Sequence, residues 1–259
     1  METLIVERDS ELPGLTTVTL NRPEKLNAIN PRMHADLQEV CAQLRGDTAI
    51  RIVIFTGAGR AFSAGADLKD RVLSGEGPAD PLQARHLAGT GNRTSGALED
   101  LDQVTIGAIN GLAIGGAVVF LASMDLRLAA KSAWFSIPEI DLDIPLTWNG
   151  LPRLMRELGP ARTKELVMTG DRFSAQEALE WGFLNRVTAD HDLLPSARAL
   201  AAKLLSKNAM SLALTKSTTR ALANMMVPGD VTHSDREYLM LATLLAQKKQ
   251  SLKSGGEKA

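Results

Sequence analysis

The run Ile109–Glu139, INGLAIGGAVVFLASMDLRLAAKSAWFSIPE, decides how this chain folds and where its chemistry sits. A small-residue turn, Gly111 to Gly116, opens an apolar segment, Ala117 to Met124, that reads as a helix. A strand-like run, Asp125 to Ala130, follows, and then one carboxylate, Glu139, set among Trp134, Phe135, Ile137, Pro138 and Ile140. The first amides of a helix have no partner in their own helix, and the helix dipole favours negative charge there. An acid with apolar neighbours holds its proton more tightly than one in water. The stretch therefore predicts backbone N–H groups aimed at a polar oxygen, with a proton-moving acid beside them.

Working outward, Thr3 to Arg8 and Thr16 to Leu20 alternate as two strands joined around Pro13-Gly14. Asn30 caps a predicted helix that begins at Pro31 and carries Met33, Leu37, Val40 and Leu44 at helical spacing. Ile50 to Thr56 is a continuous β-branched run, read as a strand buried on both faces. It leads into Gly57-Ala58-Gly59 and a loop of small side chains, Phe62 to Asp67. Arg71 to Asp80 is polar and Gly/Pro-rich and is predicted to be mobile. Leu82 to Leu101 reads as one helix weakened at Gly89 and Gly91, and Val104 to Asn110 as a strand.

Beyond the central stretch, Asp141 to Gly150 is predicted as loop. Short helices follow over Leu151–Leu158, Ala161–Thr169 and Ser174–Trp181, the third with a capping box from Ser174 and Glu177. Arg186 to Thr188 is a last short strand. From Asp190 the chain reads as helical: Leu193–Leu205, Ala209–Met225 and Thr232–Gln250, then a basic, frayed tail. The shift near Asp190 suggests an α/β body with a helical appendage.

The 259 residues, 44% of them hydrophobic, suffice for a large core. A formal net charge of -1 gives no electrostatic case for nucleic acid or an anionic membrane. One cysteine, Cys41, excludes an internal disulfide framework, and no apolar run is long enough to span a bilayer. These features, with no start resembling a signal peptide, predict a cytoplasmic protein. His34, His86, His191 and His233 are scattered with no ligand spacing, so no metal site is predicted. The glycine-rich pieces are neither a P-loop nor a dinucleotide fingerprint.

Four runs, in order and with spacings intact, carry a resemblance: Asn21 to Asn30, Ile52 to Leu68, Ile109 to Gly116 and Thr169 to Val187. With them the chain resembles the crotonase superfamily, the enoyl-CoA hydratase/isomerase group, over nearly its whole length. The resemblance implies an α/β fold, a crotonase-type spiral of repeated β-β-α units with a C-terminal α-helical oligomerisation region. Residues 1–189 would form the acyl-CoA-binding core, and residues 190–259 the helical region, packing as a homotrimer or a hexamer of paired trimers. The substrate it implies is an acyl-CoA thioester, with no further cofactor.

The resemblance places the two amides that hold the thioester oxygen at Ala66 and Gly116, and the catalytic acid at Glu139 after Pro138. Hydratases of the group carry a second glutamate where this chain has Val119. A lone carboxylate suffices for a 1,3-proton shift, so Glu139 alone favours isomerisation over hydration. Asp141 is the candidate for a second acid, and a hydratase relying on a substitute acid or a non-catalytic acyl-CoA binder are the alternatives. A dienoyl-CoA isomerase pattern would want an acid at Thr147. For CoA, the resemblance points to Lys25, Leu26 and Ala28, and to Ala64, Gly65, Asp67 and Leu68, with Gly115 beside the second amide. Arg22, Lys25 and Lys69 are candidates for phosphate contacts, because cations suit a multiply charged nucleotide. His86 falls in a helix that lines the acyl pocket in relatives.

Overall fold

A computed structural model describes residues 1–69, 80–228 and 234–256. The strands are β1 (Leu4–Arg8), β2 (Leu15–Leu20), β3 (Ile52–Gly57), β4 (Ala61–Ser63), β5 (Val104–Ile109), β6 (Leu112–Ile114), β7 (Leu126–Ala130), β8 (Trp134–Ser136), β9 (Phe173–Ser174) and β10 (Arg186–Thr188). The helices are α1 (Pro31–Arg45), α2 (Pro81–Ala88), α3 (Thr90–Glu99), α4 (Gly116–Ala122), α5 (Gly150–Thr169), α6 (Ala175–Glu180), α7 (Leu193–Leu205), α8 (Ala209–Met226) and α9 (Asp235–Gly256).

Two sheets share the strands alternately. The larger runs β1-β2-β3-β5-β7-β10 and the smaller β4-β6-β8-β9. Each turn of the chain gives one strand to each sheet, β3 then β4, β5 then β6, β7 then β8, and crosses back through helix. That is a spiral of β-β-α units. Parallel pairing from β2 through β10 requires crossovers and buries both faces. Every residue of β3 and of β5 is accordingly buried.

Local signals hold where the sequence is explicit. The Asn30 side chain accepts from the Met33 N–H at the start of α1, and Ser174 with Glu177 forms the reciprocal capping box of α6. α5 is a single run only in name: Gly159 (φ +71°) breaks its helical geometry just before Pro160, so the two predicted helices are present. The helix expected over Leu82–Leu101 is instead two, α2 and α3, parted at Gly89. The predicted mobile stretch lies, apart from Asp80, outside the described residues. α7 lays Leu193, Ala197 and Leu200 into the same core as the strands it crosses. Among the described residues no helix is long and apolar enough to cross a membrane.

Candidate active site

The loop between β2 and α1 is laced to the loop after β4. The Ala64 N–H donates to Leu26 O (2.8 Å), the Ile29 N–H to Gly65 O (2.8 Å) and the Asp67 N–H to Ile29 O (2.9 Å). Asn27, fully buried, donates through Nδ2 to Ala58 O and Ala61 O, and its own carbonyl accepts from Ser63 Oγ. In the parallel bridge between Ile29 and Ala66, the neighbours Gly65 and Asp67 make the hydrogen bonds, so the Ala66 N–H takes no part in it.

The same loop presses on the turn that opens α4. A Cβ on Gly65 (φ +79°) would stand 2.4 Å from Ile114 O and 3.5 Å from the Gly116 nitrogen, so only glycine permits this approach. Gly115, also left-handed at φ +53°, turns the chain from β6 into α4 while its N–H donates to Ser136 O (2.8 Å). Gly116 is then the first residue of α4, with a helix-opening N–H.

Glu139 comes from a 3-10 turn, Pro138–Leu142, that follows β8. Trp134 and Phe135, expected around it, belong to β8. Its real surroundings are the Gly115 backbone, against which Oε1 rests, and the loop of Ile144, Leu146 and Trp148. Oε2 is buried with no hydrogen-bond partner. Loss of water around the carboxylate pushes its pKa up to about 7.

Ala66, Gly116 and Glu139 line one cavity of about 90 Å³. Val119 lines it too, 1% exposed, so the position that matches the second glutamate does face the cavity and offers only methyl groups. Among the described residues the other ionisable lining group is His34, on α1, which showed no ligand spacing in the sequence. Its Nδ1 lies 2.9 Å from Thr94 Oγ1, and burial lowers its pKa to about 4, leaving a neutral ring near pH 7. The signal was available: with Met33, Leu37, Val40, Cys41 and Leu44, His34 completes the buried face of α1. Trp148 and Leu239 of α9 are further lining residues whose place the sequence did not reveal.

The remaining candidates sort by position. Arg22 donates to Ala28 O and pairs with Asp67 (3.0 Å), tying the two laced loops together. Lys25, Leu68 and Lys69 of the same two loops are exposed, and Leu26, Ala28 and Ala64 are half-buried. Asp141 is exposed, with Oδ2 directed toward Gly170, and is not among the residues lining the cavity. His86 is exposed on α2, whose Leu87 and Ala88 face the cavity instead. Cys41 is buried in the core. The groups assembled are thus two backbone amides and one carboxyl that titrates near neutrality, which is the equipment for enolate chemistry at a carbonyl.

A two-sheet spiral of this kind is the mark of the crotonase fold, and comparison with known proteins agrees on the fold and the family. The sequence model of the enoyl-CoA hydratase/isomerase family matches residues 11–258. A carnitinyl-CoA dehydratase from Salmonella arizonae is 39% identical over 211 residues, 81% of this chain and 78% of that protein. The crystal structure of an enoyl-CoA hydratase from Bacillus anthracis superposes with a TM-score of 0.78 at 32% identity, covering 99% of this chain and 96% of that one. A monofunctional enoyl-CoA isomerase from M. smegmatis gives 0.72 at 30% identity, covering 86% and 95%. The chain belongs to the enoyl-CoA hydratase/isomerase family and is an acyl-CoA-processing enzyme of the crotonase superfamily.

Proposed function

We propose that this enzyme moves a double bond along an acyl-CoA thioester, using Glu139 as its single acid–base group. The observation that carries this reading is that, among the described residues, Glu139 is the one carboxylate lining the cavity shared by Ala66 and Gly116, with Val119 facing the same space. A 3-enoyl thioester loses a proton from C2 to Glu139, and the electron pair spreads to the thioester oxygen. The Ala66 and Gly116 N–H groups donate to that oxygen, supplying stabilisation already in place when charge develops. Glu139 then returns its proton at C4, leaving the double bond between C2 and C3. A carboxyl with a pKa of about 7 suits both halves of the transfer. The exposed Lys25 and Lys69 would take the phosphates of CoA, and the step calls for no separate cofactor.

Exposed apolar side chains on the last two helices, among them Leu214, Leu222 and Met225 of α8 and Leu241 and Leu244 of α9, support self-association into trimers or paired trimers.

A second reading is favoured by one observation, the relationship to proteins named carnitinyl-CoA dehydratase. An analogous enolate forms when Glu139 takes the C2 proton of a 3-hydroxyacyl thioester, and it expels the C3 hydroxyl as water when the same carboxyl hands that proton to the hydroxyl. Absorbance of the conjugated thioester separates the two. Appearance of that absorbance from a 3-enoyl-CoA, with none lost from a 2-enoyl-CoA in water, supports isomerisation. Loss of it from the 2-enoyl-CoA, with the 3-enoyl isomer inert, overturns isomerisation in favour of hydration.

A further inference from the structure

Trp148 is the largest side chain lining the cavity, and the proton transfer makes no use of it. Its indole fills a slot between α3 and the start of α4. A Cβ on Gly91 would stand 2.0 Å from Trp148 Cδ1, and one on Gly116 would stand 2.1 Å from Cζ3. Only residues without side chains leave room for the ring at both ends. One face stacks on Phe120 (centroids 5.2 Å apart, 25° between planes), and the His34 ring meets it edge-on at 4.9 Å. The indole thus lies directly over the residue that contributes the second amide.

The backbone holding it there is strained. Trp148 (φ +62°) and Asn149 (φ +56°) are consecutive non-glycine residues in the left-handed region, which side-chain-bearing residues seldom adopt. Such conformations persist only where several contacts fix them. Ser95 Oγ donates to Trp148 O (2.7 Å), and Arg153 Nη1 donates to Trp148 O (3.2 Å) and Asn149 O (2.9 Å). The Asn149 N–H donates to Asp235 Oδ2 (2.8 Å), a carboxylate 3% exposed in the first turn of α9, 86 residues away. Leu239, one turn further along α9, closes the cavity itself. What is left, about 90 Å³, is less than the roughly 150 Å³ that takes up a benzene molecule.

We propose that Trp148 is the wall that restricts this enzyme to short acyl groups, and that Asp235 is the positioning residue that holds the indole in place. The inference rests on the acyl-CoA reading above. Its test is titration calorimetry of butyryl-CoA, decanoyl-CoA and free CoA against the full chain and four variants. Wild type is expected to bind butyryl-CoA at least tenfold more tightly than decanoyl-CoA, and Trp148→Ala to reverse that order, with free CoA changed less than threefold. Trp148→Phe, a milder change should the alanine variant fold poorly, is expected to shift the ratio in the same direction. Asp235→Ala is expected to shift it likewise, and Asp235→Asn, which keeps an oxygen acceptor, to restore it. A merely structural Asp235 would weaken all three ligands together, and that result overturns its positioning role. An unchanged ratio in Trp148→Phe overturns the wall. Failure of wild type to bind free CoA or either thioester sinks the acyl-CoA reading itself, and the inference with it.

Discussion

Glu139 Oε1 rests against the backbone of Gly115, so closely that a Cβ added there would stand 2.4 Å from it. The residue that turns the chain into α4 therefore also sets how near the carboxyl can come to the amide of Gly116. Glycine is needed twice over at this point, for φ +53° and for the space.

Gly115→Ala tests that coupling. The new methyl meets the far end of a flexible side chain, so the carboxyl is displaced rather than the fold broken. Strain at positive φ costs about 1–2 kcal/mol of stability. Misplacing a catalytic group by about an ångström costs on the order of a hundredfold in rate. The expected outcome is a modest fall in melting temperature with a kcat about a hundred times lower. A variant that keeps wild-type kcat would show that the carboxyl need not sit against Gly115.

The pH profile follows from the two ionisable groups that line the cavity among the described residues. Glu139 must be unprotonated to take the first proton, and its pKa stands at about 7. His34, lowered to about 4, is neutral throughout the working range. The profile of kcat/KM is therefore expected to rise with unit slope toward pH 7 and then stay level up to about pH 9. A bell with a falling limb just above neutrality would demand a second titrating group, as hydration with paired acids does.

Much of the fold was legible because its signals are local. The continuous apolar runs of β3 and β5, the Asn30 cap, the Ser174–Glu177 box and the Gly159-Pro160 break each act within a few residues. The smaller sheet was not legible, since β4, β6 and β8 are three residues each and too short to declare a period. At the site, the family resemblance pointed to Ala66 and Gly116, whose glycine-rich surroundings fit that role, and Glu139 stood out as one acid among apolar neighbours. Trp148 and Leu239 did not, because their place depends on α9 returning to the Trp148–Asn149 turn, a contact no local pattern encodes. Arg22 read as a candidate for the CoA phosphates, and its engagement by Asp67, distant in sequence, was not legible.

Arg22 separates two roles that a loss of activity alone would confuse. If it ties the laced loops through Asp67 and Ala28, its removal disturbs the Ala66 amide whatever the substrate's tail. Arg22→Ala is then expected to lower kcat about tenfold to a hundredfold with an acyl-pantetheine, which lacks the nucleotide, as well as with the acyl-CoA. A phosphate ligand behaves differently: its loss raises KM for the CoA ester and leaves the pantetheine ester unaffected. Steady-state kinetics on both esters decide between them.

Glu139 should also leave a mark on stability, with a sign fixed by its raised pKa. The folded chain keeps the proton up to about pH 7, while the unfolded chain releases it near the ordinary value of 4.5. Stability from this group is therefore intact below about pH 4.5, falls as pH rises through the window from 4.5 to 7, and is lowest above it. At about 1.4 kcal/mol per pKa unit the loss is at most about 3.5 kcal/mol. Glu139→Gln removes the titration, so the variant is expected to melt above wild type at pH 8 and to lose that advantage by pH 5. The lowered pKa of His34 works oppositely, destabilising the fold as pH drops below about 6.5, but equally in both proteins, so it cancels in the difference. Calorimetric melts of the pair at pH 5, 6.5 and 8 measure that difference directly. Parallel curves would mean that the Glu139 carboxyl is not held in the dry setting its unpartnered Oε2 implies.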